Sequence, residues 1–178
     1  MGYRHTKDEI LDGALAAVFD DALSRLTFGR LARRLGISDR VIVYYFPSKN
    51  DLIGEVLLSV GERLRAALAP ALSAPVADHV ELVRVVWPVL ARVEVDPVFA
   101  LFFEAGGLAA AGIEPFEELV PQLVVGWIDW ASGFIGGTPA QRRNEASAAI
   151  ATLDGLLLLR QLAGADVADR AARAIGAR

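Results

Sequence analysis

Basic side chains are concentrated in one short part of the chain. Residues 22–50 contain one acidic residue, Asp39, and six basic residues: Arg25, Arg30, Arg33, Arg34, Arg40 and Lys49. Residues 66–178 contain eight basic and 13 acidic residues, and the whole chain of 178 residues has a net charge of −4. A cationic segment joined to an acidic body indicates that one end of the molecule meets a polyanion. The alternative interpretation is an arginine-rich helix face that is simply solvated.

The residue types that most catalytic and metal sites need are scarce. There is no cysteine, and the two histidines, His5 and His79, lie 74 residues apart. The chain also lacks a G-x-S-x-G elbow, a P-loop, a G-x-G-x-x-G fingerprint and an H-E-x-x-H pair. Acid–base chemistry by two carboxylates, such as Glu104 with Asp129, is the remaining enzymatic alternative. We therefore predict a protein that is not an enzyme and has no metal site and no cofactor.

Apolar residues recur at helical spacing along the whole chain, which predicts an all-α fold of about nine helices. Thr6 and Glu9 form a capping box before the first apolar stripe, and Thr138 with Gln141 forms another. Asp96 is predicted to cap the helix that opens at Pro97. Beyond residue 70 the predicted helices cover residues 77–94, 97–111, 115–135, 139–163 and 166–176.

No apolar run reaches the length of a membrane span or a signal peptide. The longest uncharged stretches, residues 66–77 and 130–141, have 12 residues each, whereas a spanning helix needs about 18. We therefore expect no membrane association and no export, which together with the missing cysteines is compatible with the cytoplasm.

The cationic segment contains two short helices joined by a tight turn. Thr27 is placed to begin the first helix, Gly36 to end it, and Ser38 to begin the second, which Pro47 closes. Two such helices around a turn glycine form a helix-turn-helix unit, whose second helix fits the major groove of DNA. The hydroxyls of Thr27 and Ser38 are expected near phosphate oxygens because helix starts favour anions.

Residues 26–52, LTFGRLARRLGISDRVIVYYFPSKNDL, resemble the DNA-binding signature of the TetR family of transcriptional regulators. The resemblance implies a three-helix DNA-binding domain over residues 1–47. A helical effector-binding and dimerisation domain follows over residues 48–178, with residues 48–69 as the connecting helix. The resemblance also implies DNA contacts from Thr27, Asp39, Arg40, Val41, Tyr44, Tyr45 and Lys49, with Lys49 on a phosphate. Val43 and Tyr45 depart from the common pattern, which has tyrosine and histidine there.

A regulator of this family is expected to bind a palindromic operator in double-stranded DNA as a dimer and to repress transcription. A small molecule would release it from DNA. The composition, rich in Ala, Arg, Leu and Val, suggests a bacterial genome of high GC content. The alternative is a helical carrier of small ligands whose DNA-binding head is inactive, because Asp39 and Val43 are unusual on a DNA-reading helix.

The acidic body is rich in aromatic residues that either fill the core or line a pocket for an apolar effector. The predicted pocket residues are Trp87, Phe99, Phe102, Phe103, Glu104, Trp127 and Trp130. The predicted helix over residues 146–162 contains more leucines than a single core-facing stripe requires. The resemblance implies dimerisation through the last long helices, and we predict that Leu153, Leu156, Leu157 and Arg160 lie in that interface.

Overall fold

The computed structural model describes residues 5–177. Residues 1–4, at the start of the first predicted domain, and residue 178, at the end of the second, lie outside the described part. The described chain forms nine α-helices: α1 (Lys7–Asp21), α2 (Phe28–Leu35), α3 (Asp39–Tyr45), α4 (Lys49–Leu68), α5 (His79–Leu90), α6 (Asp96–Ala110), α7 (Phe116–Ser132), α8 (Pro139–Ala163) and α9 (Ala165–Ala174). Short 3₁₀ helices lie at Leu23–Arg25, Ala69–Leu72 and Val93–Val95. The predicted all-α fold of about nine helices is confirmed.

Side-chain caps explain where the helices begin. Thr6, Ser48 and Thr138 each accept a hydrogen bond from the backbone N–H three residues on, and the side chain at that position bonds back to the capping residue. These reciprocal capping boxes satisfy N–H groups that have no partner within the helix. The starts of α1, α4 and α8 therefore follow from local sequence.

The start of α6 differs from the prediction. Asp96 is itself the first residue of α6, and its side chain does not cap the helix. Both of its carboxylate oxygens instead accept hydrogen bonds from Arg160 of α8, over 2.5 and 3.0 Å. A bidentate, charge-assisted pair is stronger than a cap to a neutral N–H, so the long-range contact takes the carboxylate.

The N-terminal helices pack around one apolar cluster. Ile10, Leu31, Ile42 and Phe46 are at most 1% exposed, and the same cluster includes the first turns of α4 and parts of α6 and α7. The N-terminal helices therefore share a core with the body instead of packing only among themselves. The division after residue 47 stays a prediction.

A second apolar cluster holds the body together. It joins the end of α4 to α5, α8 and α9, and Phe99, Ala131 and Ile135 complete it. Trp87 of α5 is its largest fully buried side chain, 1% exposed. Because α4 contributes to both clusters, this helix connects the N-terminal helices to the body.

Helix α8 is long and apolar, with 25 residues. By length and composition it is the one helix of the described part that could cross a membrane, and 22% of its most apolar window is buried inside the molecule. A helix that packs against a second subunit can have the same length and apolar composition. Because so little of it is buried, α8 has an exposed apolar face.

Candidate nucleic-acid interface and internal cavity

Helices α2 and α3 form a helix-turn-helix unit. Thr27 caps α2 by accepting a hydrogen bond from the Arg30 N–H, and Gly36 ends it in the left-handed conformation, with φ of 66°. A residue with a Cβ is strained at that φ, which is why the turn needs glycine. Leu31 and Ile42 then lock the two helices together in the core.

The outward face of α3 carries four exposed residues: Asp39, Arg40, Val43 and Tyr44. Tyr44 is 79% exposed and Val43 is 43% exposed. No other part of residues 5–177 covers these side chains, so they are available to a ligand as large as a DNA duplex. This is the face that the sequence predicted, with Val43 added.

Two of the predicted DNA contacts, Val41 and Tyr45, face inward instead. Both are partly buried against the N-terminal core, and the Tyr45 hydroxyl donates a hydrogen bond to the His5 carbonyl oxygen over 3.0 Å. Tyrosine is rarely buried without a partner for its hydroxyl, and here the backbone supplies that partner. Tyr45 therefore holds α3 against the start of α1.

Three further predicted contacts surround α3. Thr27, Ser38 and Lys49 are all exposed, each at the beginning of a helix. Ser38 makes no side-chain cap, so its hydroxyl is free to meet a phosphate oxygen. Arg33 and Arg34, by contrast, are engaged within the molecule: Arg33 bonds to the Gly29 carbonyl, and Arg34 pairs with Asp20 at 2.7 Å.

An apolar cavity of about 120 Å³ lies between α4, α5, α6, α7 and α8. Four of the predicted pocket residues line it: Phe99, Phe102, Trp127 and Trp130. Most other wall residues are leucine and valine. The cavity has the apolar composition of a small-molecule site.

Three predicted pocket residues do not line the cavity. Trp87 is buried in the second core, where its ring N–H donates to Asp169 over 3.3 Å. Phe103 packs edge-on against Phe102, 5.6 Å between ring centroids. Helical spacing places these rings near the cavity wall, but their sides of α5 and α6 turn away from it.

Glu104 also points elsewhere, towards the N-terminal helices. Its two carboxylate oxygens accept hydrogen bonds from the backbone N–H groups of Leu23 and Ser24, each over 2.9 Å. These donors begin the 3₁₀ turn between α1 and α2, so Glu104 caps that turn from α6. Partial burial alone would raise the pKa of Glu104, but the hydrogen bonds from Ser24 and Leu23 outweigh it and lower the pKa.

The Glu104→Ala variant is expected to lose about 1–3 kcal/mol of unfolding free energy, because the N–H of the buried Leu23 is left without a partner. A lowered pKa means that the charged form stabilises the fold at neutral pH and that this contribution is lost as pH falls through the acidic range. Urea denaturation at pH 7 and pH 4 measures both effects. The exposed Glu62→Ala on α4 is the matched control, and equal stability of the two variants at pH 7 would contradict the capping role.

Asp154 lines the cavity, a position that the sequence analysis did not predict. It is the one charged residue among the cavity-lining residues of the described chain, and burial raises its pKa to about 6. The sequence did contain a signal for this position. Asp154 lies within a run of leucines, four residues after Ile150 and three before Leu157, so the three side chains share one face of α8.

The predicted dimer residues turn towards their own subunit. Leu156 and Leu157 are 5% and 1% exposed, Leu153 lines the cavity, and Arg160 is held by Asp96. These side chains are not available to a second subunit. The leucine content indicated excess apolar surface on α8, but it did not tell on which side of the helix that surface lies. A dimer interface on α8 stays a prediction.

The outward face of α8 is a different stripe, consisting of Ser147, Ala151, Gly155, Leu158 and Leu162. All five are exposed, and Leu158 and Leu162 are 41% and 78% exposed. Their spacing places them on one side of the helix. Small residues followed by leucines allow another helix to approach closely, so this stripe is the unpartnered apolar face of α8.

Residues 10–56 match the family model described as bacterial regulatory proteins, tetR family. The matched segment runs from α1 through the helix-turn-helix unit into α4. This segment is therefore similar to the DNA-binding domain of the TetR family.

Two curated regulators match this chain over much the same region. The HTH-type transcriptional regulator BetI of Cronobacter sakazakii is 31% identical over 64 residues, which are 36% of this chain and 32% of that regulator. BetI of Serratia proteamaculans is 32% identical over 73 residues, 41% of this chain and 36% of its own length. The chain thus spans about a third of the length of the curated relatives it matches.

Solved structures match over nearly the whole chain. A TetR-family transcriptional regulator from Rhodococcus sp. has a TM-score of 0.73 at 16% identity and covers 90% of both chains. The multidrug binding protein EbrR, complexed with imidazole, has a TM-score of 0.68 at 24% identity and covers 98% of this chain and 93% of its own. At these identities the likeness shows that the body of this chain shares their fold.

Proposed function

We propose that this protein is a repressor of the TetR family, which binds a palindromic operator as a homodimer and leaves it when a small molecule fills the cavity. It acts without catalysis and belongs in a bacterial cytoplasm, where operator DNA is found. The observation that carries the proposal is the exposed face of α3, with Arg40, Val43 and Tyr44 outward, on a domain of this family. A helix presented in this way fits the major groove.

Base contacts and phosphate contacts are assigned to different residues. Arg40, near the beginning of α3, is placed to donate to guanine, and Val43 can offer only apolar contact, for instance to a thymine methyl group. Thr27, Ser38 and Lys49 surround α3 and would hold phosphates. Tyr44 adds an exposed ring and hydroxyl beside Arg40.

The homodimer is proposed to form through the unpartnered apolar face of α8. That face has no covering element in its own subunit, and a two-fold axis along it would pair Leu158 and Leu162 with the small residues of the other copy. Two subunits related in this way present two copies of α3, which requires half-sites about one helical turn of DNA apart or slightly more.

Coupling between the cavity and DNA is proposed to run through α6. Phe99 and Phe102 of this helix line the cavity, and Glu104, less than a turn away, caps the turn that precedes α2. A ligand that moves α6 therefore changes the support of the helix-turn-helix unit. Such a ligand shifts the population to subunits whose heads do not match the operator.

Lys49→Ala and Arg40→Ala separate the proposed phosphate and base contacts. We expect Lys49→Ala to weaken binding to all DNA sequences similarly and to reduce the salt dependence of that binding by about one counterion. Arg40→Ala should lose about 1–3 kcal/mol of binding free energy on the preferred operator and relax the base preference at one position of each half-site. Fluorescence anisotropy with DNA upstream of the gene, at several salt concentrations, measures both.

Arg33→Ala is the control, because Arg33 lies on the solvated side of α2 and bonds to its own helix. It should bind DNA within about twofold of the unchanged protein, as expected for a surface substitution away from an interface. Unchanged sequence preference in Arg40→Ala would assign Arg40 to a phosphate. If the unchanged protein ignores DNA even at low ionic strength yet binds small molecules, the carrier with an inactive head, suggested by Asp39 and Val43, replaces the repressor.

A further inference from the structure

The cavity wall combines aromatic rings with one carboxylate. We propose that the cavity takes a lipophilic organic cation, with Asp154 as its counter-ion. This inference rests on the proposed function, because it names the chemical class of the effector at that same site.

Asp154 is partly buried and has no polar partner among residues 5–177. Asp96, Asp129 and Glu145 pair with Arg160, Arg143 and His79 respectively. Within residues 5–177, no hydrogen bond or ion pair to the Asp154 carboxylate is formed, and burial alone raises its pKa. A charge held away from water without a partner is costly, so the site is electrostatically complete only when a cation enters.

Aromatic rings form part of the wall of the cavity that Asp154 also lines. Phe99, Phe102 and Trp130 line the same cavity from α6 and α7. Faces of such rings attract organic cations, most strongly where water is excluded. The protein already uses this interaction next to the cavity, where the Arg65 guanidinium lies 4.8 Å from the centroid of the Trp127 ring. Arg65 is not among the lining residues, and it does not neutralise Asp154.

Other ligand classes fit this wall less well. An anion would be repelled by Asp154, and a neutral hydrocarbon would bury the carboxylate further without pairing it. A metal ion needs several ligands, and among residues 5–177 no group of three His, Asp or Glu side chains could hold one. A lipophilic organic cation satisfies both the carboxylate and the apolar wall.

Three probes of the same ring size test the charge preference. They are 9-aminoacridine, which is a cation at pH 7.5, acridine, which is neutral there, and anthracene-9-carboxylate, which is an anion. Calorimetry with the full-length protein should give at least about tenfold tighter binding of 9-aminoacridine than of acridine, since a desolvated charge pair contributes more than about 1.4 kcal/mol. The anion should bind weakest.

Variants at position 154 decide whether the carboxylate is responsible. Asp154→Asn should lose the preference for the cation and keep its affinity for acridine within about twofold, whereas Asp154→Glu should retain the preference. Asp166→Asn removes the same charge from the exposed start of α9 and should behave like the unchanged protein. An unchanged preference in Asp154→Asn, tighter binding of the anion, or no binding of any probe would each overturn the inference.

Release from operator DNA is measured separately with the same probes. Charge-selective binding that leaves operator affinity unchanged would support the cation site and contradict the effector role in the proposed function. Release by acridine as readily as by 9-aminoacridine, in both the unchanged protein and Asp154→Asn, would support the effector role and contradict the counter-ion. The two failures are therefore distinguishable.

Discussion

Asp154→Asn is expected to raise the free energy of unfolding by about 2 kcal/mol at pH 8 and to leave it nearly unchanged near pH 4. Burial raises the pKa of Asp154 from its ordinary 3.8 to about 6. Two pKa units correspond to about 2.7 kcal/mol, which we reduce because the side chain is only partly buried. The folded chain keeps a proton that the unfolded chain releases, so the natural protein loses stability as pH rises from about 4 through 6.

Urea denaturation of both proteins between pH 4 and pH 8 measures this difference. The curves should converge at low pH and separate as Asp154 ionises, while Asp166→Asn should follow the unchanged protein throughout. Asp154 is the one titratable residue of the described cavity wall, so the pH dependence has a single source there. Parallel curves across the whole range would show that the carboxylate is hydrated and is not held in an apolar site.

The stability cost and the proposed cation site have the same cause. An apolar residue at position 154 would fill the cavity wall without burying a charge, and replacement of buried polar groups by apolar ones often stabilises proteins. A residue that lowers stability at neutral pH is typical of a functional site. A saturating cation should therefore stabilise the natural protein more than Asp154→Asn, through preferential binding to the folded state.

The second large effect is expected from the apolar face of α8. Replacing both Leu158 and Leu162 by Glu should convert the dimer to a monomer and weaken operator binding by about a hundredfold or more. Like charges would meet across the two-fold axis, and one subunit alone lacks the effective concentration that the second half-site gains in the dimer. Both leucines are exposed in the subunit, so its fold should persist.

Sedimentation at micromolar concentration and anisotropy with operator DNA test this prediction together. Leu58→Glu is the control, because Leu58 is an apolar residue of α4 that is 49% exposed. It should leave both the mass and the DNA affinity unchanged. A Leu158→Glu, Leu162→Glu protein that remains a dimer would place the subunit interface on another surface.

The sequence alone determined the features that depend on neighbouring residues. Capping boxes at Thr6, Ser48 and Thr138, the cap at Thr27 and the left-handed turn at Gly36 all act within four residues. Such interactions are the same wherever the segment lies, so helix starts and the helix-turn-helix unit could be predicted. The exposed Arg40 and Tyr44 followed from the same local pattern.

Tertiary structure decided which face of each helix is covered. Periodicity groups residues on a face, but another helix determines whether that face is core, cavity or surface. Tyr45 therefore turned inward to the His5 carbonyl, Leu156 and Leu157 entered the core of their own subunit, and Glu104 capped a turn 80 residues away. Asp154 acquired its role in the same way, because α4 to α7 close an apolar space over the one carboxylate that α8 directs into it.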